Sequence, residues 1–402
     1  MSASSRTHAP GGYKFLQNPH GCSCEVSLYT VAMKQFTSIH SQHEDVSAVI
    51  DDTLRQLADI PAGANFGFIY VTDAMADEFG SLVQQCKSVT GIPHWTGTVG
   101  LGVISDDSEL YEQPAASIML AHFPAKSFAM LPLISKTEDL DTLPSALQTF
   151  STSFGVIHAD PLNPETQQLI SGLQQRLENG FLVGGLTSSR DAHYQVADDL
   201  LNGGISGVVF SEEVGVLTNL TQGCSPVGVK HRITKSQENV AFSLDDDPAL
   251  EVMMKELGIE AFEELQKKAD NIFAGLCIPG SDKSDYRVRN LVGVDMDNKL
   301  FAINDYLTQG EELLFCSRSE ESAIDDMRRM LEKLGSRLQD TPKGGLYISC
   351  LGRGREQFSG ESREVRMIHE VLGDFPLTGF FANGEIHHDT LYGYTGVLTL
   401  FT

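Results

Sequence analysis

A glycine pattern recurs along this chain and limits its folds more than any other feature. Phe375 to Ile386 reads FPLTGFFANGEI, and Pro93 to Ile104 reads PHWTGTVGLGVI. Both carry Thr-Gly, at Thr378-Gly379 and Thr96-Gly97, with another glycine five residues later, Gly384 and Gly102. Each pattern sits in the same order of elements. Gly67 to Thr72 reads as a strand, a helix follows, then the glycine stretch, then a closing strand at Ala116 to Phe123. Late in the chain the order is Gly345 to Ser349, a helix at Ser362 to Leu372, the glycine stretch, and Thr395 to Phe401. A looser copy runs from Phe154 to His158 through a helix at Pro164 to Leu177 and FLVGGLTS (Phe181 to Ser188) to Ser206–Phe210. A weaker fourth copy is read in Asn271 to Cys316. Strand, helix, strand, strand over roughly fifty residues predicts repeated βαββ units. The expected fold class is α/β: mixed β-sheets covered by helices, in two pseudo-symmetric halves.

Apolar spacing also predicts a helix over Ser47–Ala58 and another over Met75–Ser88. The acidic stretch Ser243 to Pro248 is the best break. Asp247 would cap a helix over Ala249–Leu257, with Pro248 at its first position. The division drawn is residues 1–26 as a loose tail, 27–240 as the first domain and 241–402 as the second.

Charge and cysteine usage exclude several classes. Lys and Arg number 29 against 54 Asp and Glu, a formal net charge of −25 on 402 residues. Such a chain repels nucleic-acid phosphate and anionic membrane surfaces. No stretch approaches the ~20 apolar residues of a membrane span. The seven scattered cysteines fit a reducing cytoplasm better than a disulfide framework.

Equivalent glycine turns in a repeat tend to converge on one face, so Gly184, Gly185 and Gly384 are candidate pocket residues; close packing of two strands is the other reading of each. The densest constellation is C-terminal: Cys350, Gly352, Arg353 and Gly354 after one strand, Gly384 and Glu385 after another. An arginine and a carboxylate among small residues suit a zwitterion such as an amino acid, Arg353 taking the carboxylate and Glu385 the ammonium. The alternative is an Arg353–Glu385 ion pair that orders two loops. Cys350 offers a thiol nucleophile if His387 or His369 acts as its base, or a buried structural cysteine. No pattern for a structural zinc site accompanies the twelve histidines. A haem iron needs one imidazole in an apolar cleft, for which His193 and His94 are candidates.

The strings SCLGRG (Ser349 to Gly354), GFFANGEI (Gly379 to Ile386) and LYGYTGVLTLF (Leu391 to Phe401) resemble the C-terminal half of the FIST family. VGGLTS (Val183 to Ser188), QGCSPVG (Gln222 to Gly228) and TGTVGLGVI (Thr96 to Ile104) resemble its N-terminal half and junction. The resemblance covers roughly Ala64 to Thr402. It implies a FIST N domain, a FIST C domain and a small-ligand-binding sensory module of intracellular signal transduction rather than an enzyme. Amino acids are proposed ligands of the family, and some free-standing bacterial members of this length are haemoproteins that sense nitric oxide. For this chain the resemblance implies a cytoplasmic bacterial sensor with haem as a candidate cofactor and His193 as its candidate ligand. Its output would pass to a separate partner such as a histidine kinase or a cyclic-di-GMP enzyme, since no effector domain is apparent. The adjacent His387-His388 departs from the small or polar residues expected after Gly384-Glu385-Ile386. Rival readings are a cysteine-dependent enzyme using Cys350 and a ligand-free adaptor.

Overall fold

The computed structural model describes residues 35–60, 63–144, 147, 150–177, 180–278 and 286–402. The expected tail, with Cys22 and Cys24, lies outside them.

Three units share one strand order. The first comprises β1 (Phe36–Gln42), α1 (Val46–Ala58), β2 (Phe66–Thr72), α2 (Phe79–Thr90), β3 (His94–Gly100), a hairpin of β4 (Gly102–Ile104) and β5 (Glu109–Tyr111), and β6 (Ala115–Ala121). The second comprises β7 (Phe128–Ile134), β8 (Thr152–Ala159), α3 (Thr166–Arg176), β9 (Phe181–Leu186), a hairpin of β10 (Gln195–Ala197) and β11 (Asp199–Leu201), and β12 (Ile205–Ser211). The third opens with β13 (Val216–Gln222), which is followed by an inserted barrel.

The barrel comprises β14 (Cys224–Gln237), β15 (Val240–Leu244), β16 (Asp247–Pro248), α4 (Ala249–Glu256), α5 (Phe262–Lys268), β17 (Ile272–Cys277), β18 (Tyr286–Asp295), β19 (Leu300–Ile303) and β20 (Glu312–Arg318). The third unit resumes with α6 (Glu320–Gly335), β21 (Gly344–Cys350), α7 (Arg363–Leu372), β22 (Leu377–Ala382), a hairpin of β23 (Glu385–His387) and β24 (Thr390–Tyr392), and β25 (Thr395–Phe401).

No unit completes its own sheet. Each six-stranded sheet runs edge strand, closing strand, first strand, second strand, then a hairpin taken from another unit. The orders are β1-β6-β2-β3-β10-β11, β7-β12-β8-β9-β23-β24 and β13-β25-β21-β22-β4-β5. The second unit lends its hairpin to the first, the third to the second, and the first to the third. The ring of loans is closed.

The recurrent glycines make this junction. Gly97, Gly184 and Gly379 each pair in parallel with Ile69, Ile157 and Tyr347 on one side. On the other side each faces the borrowed hairpin, at Val196, Ile386 and Ile104. A Cβ on these glycines would lie 1.6, 1.8 and 1.7 Å from the neighbouring carbonyl oxygen. Only glycine lets the backbones approach so closely. Close strand packing therefore accounts for Gly97, Gly184 and Gly379.

Alternating residues from all three sheets meet in one shared core. Phe66, Phe68 and Tyr70 pack there with Phe154, Val156, Leu346 and Ile348. Phe154 stacks on Phe210 at 4.7 Å between ring centroids, and both belong to that core. The outer faces are buried under α1 and α2, under α3, and under α6 and α7. Burial on both faces explains why β2 and β22 read as continuous apolar runs.

The inserted strands run β14-β20-β17-β18-β19-β15, and pairing of β14 with β15 closes them. Closure leaves these six strands without a free edge. Ile, Leu and Phe residues fill the interior, with Leu250, Met253 and Leu265 of α4 and α5.

The expected α/β class of repeated units in mixed, helix-covered sheets is what forms, and the looser third copy is a full unit. The fourth copy is not a unit: the described residues of Ile272–Arg318 form antiparallel barrel strands, with no helix among them. The helix expected from Met75 begins as a 3-10 turn, Asp73–Glu78, before α2. Asp247 does not cap α4. Pro248 holds the cap position without a side-chain hydrogen bond, because Asp247 and Pro248 pair with Leu244 and Ser243 as β16.

Replacing Gly379 by alanine is expected to destabilise the protein by about 3 kcal/mol or more, since the carbonyl it meets is fixed in a ladder. Gly293→Ala, where a Cβ meets nothing within 4 Å, is expected to stay within about 0.5 kcal/mol. Urea unfolding of the two variants checks the contrast.

Candidate functional site

Parallel strand pairs leave a crevice beyond their carboxyl ends, the usual ligand position in open α/β sheets. Beyond β9, β21 and β22 lies a cleft of about 780 Å³. Its floor is Cys350, Leu351 and Gly352 with Ala382, Asn383 and Gly384. The second unit contributes Pro161, Gln167 and Leu186, and Leu391 to Tyr394 form one side. The barrel forms the opposite wall through Arg287 to Val292, Asn304 and Asp305. Two bonds cross from wall to body: Tyr394 OH donates to Asn290 Oδ1 at 3.2 Å, and Arg289 Nη2 donates to the Leu391 carbonyl at 3.1 Å.

Cys350, Gly352 and Gly384 thus come together as expected. Arg353 and Glu385 lie beneath them, both fully buried, and neither lines the cleft. They do not pair with each other. Arg353 is held by Glu364 of α7: Nε and Nη2 donate to Glu364 Oε1 at 2.9 and 2.7 Å. Tyr347 OH donates to the same oxygen at 2.6 Å. Ser349 Oγ and the Gly354 amide donate to Oε2 at 3.0 and 2.8 Å. Five donors on one carboxylate, with Phe358 5.1 Å beneath the guanidinium, make a sealed ionic core. A buried guanidinium needs such a partner, and Glu364 on the adjacent helix is nearer than Glu385 on the hairpin.

Glu385 Oε2 instead accepts from the Thr395 amide at 3.0 Å and from Thr395 Oγ1 at 2.8 Å. Burial pushes its carboxyl up to about 8, against the lowering effect of Thr395 and of the Cys350 thiol beside it. Burial, with Glu385 adjacent, also holds the Cys350 thiol well above its ordinary value. A protonated thiol is a poor nucleophile.

The remaining candidates are structural in placement. A Cβ on Gly185 would meet Ala382, Ile348 and Phe380, and one on Gly354 would meet Tyr111. His193 is half-buried between β9 and β10 and does not line the cleft. His94 pairs with Asp198 at 3.0 Å. His387 and His388 line a different cleft of about 530 Å³ with Arg329 and Lys333 of α6. Among the described residues, no imidazole lines the 780 Å³ cleft, so its described lining does not fit an axially ligated haem. Among the described residues, no cluster of three His, Cys, Asp or Glu is placed to hold a metal ion. No described helix is long and apolar enough to cross a membrane.

Sequence reasoning missed Arg287, Arg289 and Asp305. The signal was present: Arg287 and Arg289 stand two apart in an alternating strand, which puts both on one face.

The fold and site together define an α/β protein with a cleft walled by an inserted barrel. Comparison with known families gives that class a name. The FIST N domain matches residues 65–247 and the FIST C domain residues 249–388. The chain belongs to the FIST family, whose domains are associated with small-ligand sensing in signalling. It is similar to an uncharacterized protein of Mycobacterium tuberculosis, 27% identical over 319 residues, which span 76% of this chain and 82% of that one. An uncharacterized protein of Mycobacterium bovis is 25% identical over 344 residues, 82% of this chain and 87% of its own. The two family matches meet near residue 248, and the barrel is built from both sides of that point.

Two measurements probe the buried groups. Arg353→Ala is expected to cost about 3–5 kcal/mol, because it strands the Glu364 carboxylate; the double variant Arg353→Met/Glu364→Gln is expected to lose less, as read by denaturant unfolding. Glu385 gives a pH signature. Its carboxyl titrates near 4.5 when unfolded and at about 8 when folded, so the folded protein keeps a proton that the unfolded chain releases. This contribution is full below 4.5 and is lost as pH rises through about 8. The melting temperature of Glu385→Gln is expected to fall less than that of the parent over roughly pH 6 to 9.

Proposed function

We propose that this protein is a cytoplasmic FIST sensor that binds a small ligand in the cleft between barrel and body and passes its state to a separate signalling chain. The observation that carries this reading is the cleft itself. It lies at the carboxyl ends of β9, β21 and β22, on residues from both family domains, and has the size of a small-molecule site.

The signalling step follows from the connectivity. The chain enters and leaves the barrel at the β13–β14 and β20–α6 junctions, and the wall-to-body bonds at Tyr394 and Arg289 span the cleft. A ligand touching both walls favours the arrangement in which they are close, and only that differential affinity moves the equilibrium. A histidine kinase or a cyclic-di-GMP enzyme is the kind of partner that would read the change.

The nitric-oxide version needs a haem, and neither His193 nor the cleft lining offers it an axial ligand there. An absorption spectrum of protein purified from haem-supplied cells checks this: no Soret band is expected. The enzyme reading would need a reactive Cys350, against the protonated state that its surroundings favour.

Ligand binding raises stability by mass action, about 2.7 kcal/mol at 100-fold over Kd. A thermal-shift screen of amino acids, 2-oxo acids and phosphate esters is expected to yield stabilising compounds. Asn383→Trp, which plugs the cleft from an exposed position, is expected to abolish their effect while leaving the unliganded melting temperature nearly unchanged. Shifts that survive the plug would place the site elsewhere.

A further inference from the structure

The charge balance of the cleft identifies the class of ligand, given that the cleft is the ligand site. Among the described residues, three charged ones line it: Arg287, Arg289 and Asp305. Each nitrogen of Arg289 has a partner. Its Nε donates to Asp305 Oδ2 at 2.8 Å, Nη1 to the Val288 carbonyl at 2.9 Å and Nη2 to the Leu391 carbonyl at 3.1 Å. Asp305 is engaged as well, since its Oδ1 accepts from the Tyr306 amide at 2.8 Å. One carboxylate is thus matched to one guanidinium.

Arg287 is the remainder. Its Nη1 approaches the same Asp305 oxygen at 3.5 Å, and its side chain is 30% exposed. The cleft therefore carries one unbalanced positive charge within a protein of net charge −25. In a recess of low dielectric such a charge is a strong anchor, and a guanidinium matches a carboxylate or phosphate in a two-point bond.

Among the described residues the lining holds no second carboxylate for an amine, only uncharged acceptors such as Asn290, Asn304 and Asn383. An ammonium group brings three donors and a positive charge. The one carboxylate of the lining is spent on Arg289 and Arg287, and Glu385 lies buried behind Cys350. An added cation would sit beside two guanidinium groups. Leu186, Ala382 and Leu391 offer an apolar side among the amides of Gln167, Asn290, Asn304 and Asn383.

We infer that the ligand is a small organic anion without an amine, a carboxylate or a phosphate ester, with its anionic group on Arg287 and its carbon skeleton against Leu186 and Leu391. The zwitterion pictured around Arg353 and Glu385 is the wrong chemistry for this lining.

Matched probes test this by thermal shift and calorimetry on the full chain: pyruvate against alanine, 2-oxoglutarate against glutamate, and glycerol phosphate against phosphoethanolamine. At least one amine-free member is expected to bind tenfold or more tightly than its amino counterpart. The carboxylate and phosphate arms show which anion is preferred. Arg287→Ala is expected to weaken that binding by about tenfold or more, the loss of one charge-assisted pair. Arg287→Lys is expected to recover part of it, and Arg55→Ala, on exposed α1, to change nothing. Amino members binding as tightly, or binding indifferent to Arg287, overturns the inference; if Asn383→Trp still blocks that binding, the cleft stands as the ligand site. Binding that survives Asn383→Trp overturns both, and so does the absence of any shift across the panel.

Discussion

Everything in this molecule depends on three places where a strand approaches its neighbour too closely for any side chain. At Gly97, Gly184 and Gly379 the parallel partner and the borrowed hairpin press on the same residue from opposite edges. That contact joins the units, and the joined units enclose the aromatic core. The core in turn fixes where the carboxyl ends of β9, β21 and β22 emerge. The cleft is a consequence of the join.

The two kinds of buried charge have separate tasks. The Arg353–Glu364 pair ties the segment after β21 to the start of α7, with every Glu364 oxygen satisfied by several donors. It holds the cleft floor in place. Arg287, Arg289 and Asp305, on the barrel wall, face the open space. The floor and the wall thus come from different parts of the fold, and the proposed ligand would touch both.

Much of this was legible in the sequence. The recurrence of Thr-Gly with a second glycine reported the units because the close approach admits nothing larger, so the same residue recurs wherever the same contact does. Cys350, Gly352 and Gly384 were visible as floor residues because they follow strands whose apolar runs are unmistakable. The pairing of Arg353 was not visible. Glu364 and Glu385 are both within thirty-two residues of it, and only the packing of α7 against β21 decides between them. The exchange of hairpins was equally hidden, since Gly379 of β22 and its partner Ile104 of β4 lie 275 residues apart and nothing local records their pairing. The barrel was misread as another unit because short apolar strands in succession look alike until their partners are known.

The ring of loaned hairpins also sets an order of assembly. The first sheet can close once β10 and β11 exist, but the second waits for β23 and β24, and the third for β25. During synthesis β9 has to remain without its guest while about two hundred further residues are made. Its unpaired edge is then a template for any passing strand, including the same strand of a second nascent chain. Cutting the gene at the family boundary would make that interval permanent. A FIST N fragment expressed alone is an open-ended sheet seeking a donor, and the natural donor is the FIST C half supplied on a separate chain.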